Sequence, residues 1–158
     1  MNDKEQFDRM MSRLGQAMGI EDLGLNEENG CTLQFDDQII NLQYEPDDES
    51  YILFSDLGQV AEERKVALYE QFLSANFYRK QMVNSCISYC EPTQSIVLIL
   101  HQSTDGMDFV RFESILQSFI DLAEAWSKKI RATDLPQDAR EDTKSQSFTP
   151  MTHPVQFV

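Results

Sequence analysis

The sequence predicts an α+β fold: one twisted antiparallel sheet with helices packed on it, in the order α-β-β-β-α-β-β-α. Three observations carry that prediction. Apolar residues recur at helical spacing from Phe7 to Met18 and again from Phe109 to Ile130. They alternate with polar residues over 31–35 and 40–44, the period of a half-buried strand. Between these segments, residues 51–78 read as strand, turn and helix, and the other elements are organised around that stretch.

In chain order, Asn2 or Asp3 caps a first helix that runs to about Met18. Its apolar positions Phe7, Met10, Met11, Leu14, Ala17 and Met18 form one face, half of it methionine. Methionine fills gaps in cores and equally makes an adaptable surface for a variable partner segment, so both readings stand. Gly19 closes the helix, and an acidic connector leads to Asn29-Gly30. Cys31, Leu33 and Phe35 mark the first strand, Asp36-Asp37-Gln38 the turn, and Ile40, Leu42 and Tyr44 the second strand. A charged loop, 45–50, precedes the third strand, 51–54. Its unbroken apolar run suits a strand buried on both faces or covered by a helix. Short links make these three an antiparallel meander.

Ser55-Asp56-Leu57-Gly58 has the composition of a turn, with Gly58 free to adopt positive φ. A helix is expected from about Val60 to Asn76, where good helix formers dominate and neither Gly nor Pro intrudes. Val66, Ala67, Leu68, Tyr69, Phe72, Leu73, Ala75 and Phe77 cover more than one narrow stripe of it. The surplus fits either a fully covered core helix or contact with a second subunit. A connector, 79–83, leads to a short strand at 86–89, a turn at 91–94 and an apolar strand at 96–101. Asp108 caps the last helix, whose apolar face holds Phe109, Phe112, Ile115, Leu116, Phe119, Ile120, Ala123, Trp126 and Ile130. Lys128, Lys129 and Arg131 sit at its negative end. Residues 1–132 thus read as one domain. From Thr133 periodicity gives way to Pro, Asp, Ser, Thr and Gln, so 133–158 reads as a disordered tail.

A chain of 158 residues can bury one sizeable core, and 41% hydrophobic with 25% charged residues suits a soluble globular protein. The net charge of -14 and an isoelectric point near 4.4 are unusual. They exclude the basic footprint that nucleic-acid binding requires, and they disfavour an anionic membrane surface. The longest apolar run, 96–100, is too short to span a membrane. The polar N-terminal stretch is not a secretory signal, and three cysteines make no even disulfide framework. The expected location is the cytoplasm.

Catalytic chemistry has no visible carrier. Cys86 and Cys90 are four apart on a predicted strand, hence roughly 13 Å apart on one face. That distance is too long for a disulfide or a shared zinc. His101 ends an apolar strand as a structural histidine, and His153 lies in the tail. Neither a glycine-rich phosphate loop nor a nucleophile elbow occurs. The pairs Asp36-Asp37, Asp47-Asp48 and Glu62-Glu63 suit solvated turns and a helix start. No enzyme activity, metal or cofactor is expected.

The first helix ends in MGI, LGLNEENGCTLQFDD leads into the meander, and LFSDLGQV, LYEQFLSANF and FESILQSFIDLAEAW follow in order. Over about residues 7–130, these features on a small acidic chain resemble the class I chaperones of bacterial type III secretion, the Tir-chaperone-like (CesT-type) family. Two departures stand out. Many members have glycine just before the fourth strand, where this chain has RKQMV, and 133–158 extends beyond the usual compact domain. The resemblance implies a cytosolic homodimer that, without ATP or cofactor, binds the N-terminal segment of a secreted effector in an extended state and keeps it secretion-competent. It implies effector contacts at Phe7, Met10, Met11, Leu14, Leu33, Phe35, Ile40 and Leu42. It implies a dimer interface at Val66, Tyr69, Leu73 and Phe77 with Ile87 and Tyr89. A subgroup of similar proteins regulates transcription by sequestering an anti-activator, and the same stretches fit that role. A regulatory protein or the secretion ATPase is a further partner that the resemblance implies.

Overall fold

The computed structural model describes residues 3–132. The tail expected at 133–158 lies outside the described residues. The elements are α1 (Asp3–Met18), β1 (Gly30–Phe35), β2 (Gln38–Glu45), β3 (Ser50–Gly58), α2 (Lys65–Phe77), β4 (Ser85–Cys90), β5 (Ser95–Ser103) and α3 (Phe109–Arg131). The five strands form one antiparallel sheet in the order β1-β2-β3-β5-β4. This is the α+β arrangement that the sequence predicts.

Alternation decides which side of the sheet is covered. Register places Leu33 opposite Ile40, Leu42 opposite Leu53 and Tyr44 opposite Tyr51, with Leu98 and Leu100 continuing the row on β5. These side chains are buried with those of α1 and α3. Phe7 of α1 stacks on Tyr44 with ring centroids 4.9 Å apart, and Phe112 of α3 meets Phe7 edge-on at 5.6 Å. Such offset and edge contacts suit the aromatic quadrupole. The Asp108 carboxylate accepts from the Arg111 backbone N–H at 2.8 Å, so α3 begins on its expected cap. At its other end, the Arg64 guanidinium donates to the carbonyls of Ile130 (2.9 Å) and Lys129 (3.1 Å), which a helix leaves without intrahelical partners.

Two boundaries differ from expectation. Residues 55–58, which have turn composition, continue β3: Ser55 pairs with Leu98 and Asp56 with Val97, and the ladder becomes irregular only between Asp56 and Gly58. The inward Ser55 hydroxyl is accommodated because it donates to the Ile39 carbonyl at 2.8 Å and accepts from the Gln38 amide at 2.7 Å. Gly58 does take positive φ (105°). The second helix begins at Lys65, not Val60, because Glu62–Arg64 forms a single tighter turn ahead of it.

Tyr51 and Leu53 of β3 point into the core, whereas Ile52 and Phe54 point to the other side. Phe72 of α2 meets Trp126 of α3 edge-on at 5.5 Å, so α2 lies beside α3 near β4. Among the described residues no helix covers the opposite face of the sheet.

Candidate functional site

Three apolar regions compete for the role of binding surface. In the first, the eight residues implied on α1 and the meander converge on one side of β1 and β2. Phe7, Met10, Met11, Leu14, Leu33, Ile40 and Leu42 are buried there, and Phe35 is half-buried. The helical stripe thus points inward, against the sheet, and its two central methionines fill core space. Burial raises the Cys31 thiol above its ordinary range, which makes it a poor nucleophile.

What remains accessible in this region is the edge of β1. The Asn29 carbonyl accepts from the Tyr44 N–H at 2.9 Å, which sets the phase of the ladder. By alternation Cys31, Leu33 and Phe35 bond across to β2, while the main-chain groups of Gly30, Thr32 and Gln34 point outward. The Gly30 groups are closed by Asn26: its side-chain oxygen accepts from the Gly30 N–H at 2.8 Å, and its own N–H donates to the Gly30 carbonyl at 2.9 Å. Thr32 and Gln34 are left with outward N–H and C=O groups at a sheet edge.

The second region is the outer face of α2 with β4. Val66, Leu73 and Phe77 are 75%, 72% and 75% exposed, and Tyr89 is 53% exposed. Tyr69 is half-buried and Ile87 buried. Tyr69, Leu73, Ile87 and Tyr89 line a shared groove of about 180 Å³ with Phe72 and Ile96. Four of the six residues implied at the dimer interface are therefore brought together. The β4 edge here is closed by α2: the Asn76 side chain accepts from the Ile87 N–H at 2.8 Å and donates to its carbonyl at 3.1 Å.

The third region is the uncovered face of the sheet, which sequence reasoning did not single out. Ile52, Phe54, Val97 and Ile99 line an open groove of about 640 Å³ rimmed by Asn41, Asp56 and His101. Phe54 is 38% exposed and Ile39, on the adjacent strand, 50%. The available signal was the unbroken apolar runs of β3 and β5, which fill both faces of those strands. Among the described residues, no cluster of three or more His, Cys, Asp or Glu could hold a metal. None of their helices is long and apolar enough to cross a membrane.

A helix-backed sheet with one open edge and two uncovered apolar surfaces presents three surfaces of the kind that another polypeptide contacts. The sequence model of the Tir chaperone protein (CesT) family matches residues 9–127, and the chain belongs to that family. Its family is one of type III secretion chaperones, as the resemblance implied. A search of curated proteins finds no match. Among solved structures, a chain of the ExsC–ExsE complex is 20% identical with a TM-score of 0.74, over 85% of this chain and 100% of that one. A chain of the HopA1–SchA chaperone–effector complex is 8% identical with a TM-score of 0.68, over 79% and 95%. A chain of the ExoU–SpcU complex from the type III secretion system of Pseudomonas aeruginosa is 13% identical with a TM-score of 0.62, over 80% and 98%. At these identities the structures establish the shared fold.

Proposed function

We propose that this chain is a cytosolic, non-enzymatic chaperone that acts as a homodimer. It binds the N-terminal segment of a secreted effector in an extended state and keeps that segment competent for secretion. Family membership supplies the class, and the observation that carries the binding mode is the contrast between the two sheet edges. The β4 edge is closed at Ile87 by Asn76, whereas β1 presents the outward main-chain groups of Thr32 and Gln34. An extended segment added to β1 gains backbone hydrogen bonds there. Its side chains then lie beside half-buried Cys31 and Phe35. The buried residues Phe7, Met10, Met11, Leu14, Leu33, Ile40 and Leu42 support that surface from beneath. The exposed face of Val66, Leu73 and Phe77 is left for the second protomer, with Tyr69, Ile87 and Tyr89.

The test uses a partner found by co-expression with the products of neighbouring genes. Thr32→Pro removes one outward N–H, a change that edge strands tolerate when the lost donor faces solvent. The variant is expected to keep its circular dichroism and mass while losing about tenfold or more in affinity for the effector's N-terminal segment. Unchanged affinity in a folded variant would place the binding site away from β1. Capture of an anti-activator in place of a secreted effector would assign the regulatory role instead.

A further inference from the structure

Residues 133–158 are two segments of different character. The stretch 133–147, TDLPQDAREDTKSQS, carries six charged side chains and only Leu135 as a large apolar residue. The stretch 148–158, FTPMTHPVQFV, carries Phe148, Met151, Val155, Phe157 and Val158 and no Asp, Glu, Lys or Arg. The order is thus a polar spacer followed by an uncharged apolar segment. The uncovered face of the sheet, with Ile39, Ile52, Phe54, Val97 and Ile99, has no occupant among the described residues.

We infer that residues 148–158 dock on this face of the same molecule, with Phe148, Val155 and Phe157 covering Phe54 and its apolar neighbours. The inference is independent of the effector reading, which concerns β1.

Position supports it. The Ser127 hydroxyl donates to the Leu57 carbonyl at 3.2 Å, and Arg131 lies with Phe35, Asp36, Asp37 and Gln38 around a small pocket. The chain therefore leaves α3 at the end of the sheet where Ile39, Asp56 and Val97 begin the uncovered face. Adjacent strands are about 4.8 Å apart, so the patch from β2 to β5 is roughly 10 Å wide. Fifteen residues of chain reach about 50 Å when fully extended. That suffices to round the sheet edge, and it holds the segment at an effective concentration on the order of millimolar. Charge agrees as well: an uncharged segment approaches a chain of net charge -14 without repulsion.

The full-length chain with labelled methyl groups tests this by NMR. Replacing Phe148, Val155 and Phe157 by serine should shift the methyl signals of Ile52, Val97 and Ile99. Those of the buried Ile40 and Leu98, on the opposite face, should stay in place. The reciprocal change, Phe54→Ser, should move the amide signals of 148–158 to random-coil positions, with circular dichroism confirming the fold. Both effects should be independent of protein concentration. Unmoved Ile52, Val97 and Ile99 signals would overturn the proposal. Shifts that disappear on dilution would assign the face to a second copy. Shifts confined to Val66 would place the segment on α2. Either of these results would also overturn it.

Discussion

Two buried tyrosines separate a satisfied hydroxyl from an unsatisfied one. The Tyr44 hydroxyl donates to Asp3 Oδ2 at 2.7 Å, and the same oxygen accepts from Thr104 Oγ1 at 2.7 Å. This carboxylate ties the start of α1 to β2 and to the loop before α3. The Tyr51 hydroxyl is buried and has no hydrogen-bond partner among the described residues. Tyr44→Phe is expected to cost about 1.5–3 kcal/mol, the range for a hydrogen bond to a charged group. Tyr51→Phe should be neutral or stabilising, because it removes a polar atom that folding desolvates. Urea denaturation distinguishes the two, and an equal loss in both variants would contradict this assignment. Burial raises both hydroxyls above the usual tyrosine range, and for Tyr44 the bond to Asp3 adds to it. The folded state holds these protons more tightly than the unfolded chain. Their contribution to stability is therefore complete below about pH 10, the unfolded value, and declines as pH rises beyond it. Denaturation midpoints measured from pH 8 to 11 should fall only in the upper part of that range, and less steeply in a Tyr51→Phe variant.

At the scale of elements, burial separates the apolar residues of α1 from those of α2. Met11 of α1 is buried, so Met11→Glu should unfold the chain, since an unpaired buried charge costs several kcal/mol. Leu73 of α2 is exposed, so Leu73→Asp should leave thermal stability of the monomer nearly unchanged while abolishing self-association. Unfolding of Leu73→Asp at a concentration where the wild type is monomeric would contradict the exposed placement. Asn76→Ala should weaken the docking of α2 on β4 by about 1–3 kcal/mol, because it leaves the Ile87 backbone groups unpaired. It also opens an edge that promotes aggregation. The contrast between α1 and α2 explains how much of the molecule was legible beforehand. Element order followed from local periodicity, and period and capping residues are local properties: the Asp108 cap and the alternation around Leu33 and Ile40 could be read directly. Which way the methionine stripe faces is a tertiary property, because periodicity shows that a helix has an apolar face and not what meets it. The same limit hid the uncovered face. Phe54 and Ile99 belong to apolar runs that suit burial on both sides, and only the placement of all three helices on one side exposes them. Ser55-Asp56 has the composition of a turn yet lies in a strand, because a ladder accepts polar residues once Ser55 finds Gln38 and Ile39.

For the whole molecule, the net charge and the apolar patch on α2 act in opposite directions on self-association. Two chains of net charge -14 repel, whereas Val66, Leu73 and Phe77 favour contact by removing apolar surface from water. A stable interface buries about 800 Å² per partner, which requires the neighbouring Tyr89 and the groove lined by Tyr69 and Ile87 as well. Light scattering should give about twice the 18.3 kDa chain mass at micromolar concentration. Salt identifies the dominant force. The Debye length shrinks from about 30 Å at 0.01 M to about 8 Å at 0.15 M ionic strength, which screens the repulsion between protomers and leaves the apolar contact intact. The proposed homodimer should therefore tighten as salt rises over that range. A dimer held by ion pairs between protomers would loosen instead, and sedimentation equilibrium at the two salt concentrations measures which occurs. Weakening with salt would move the interface from the apolar face of α2 to a charged surface of the chain.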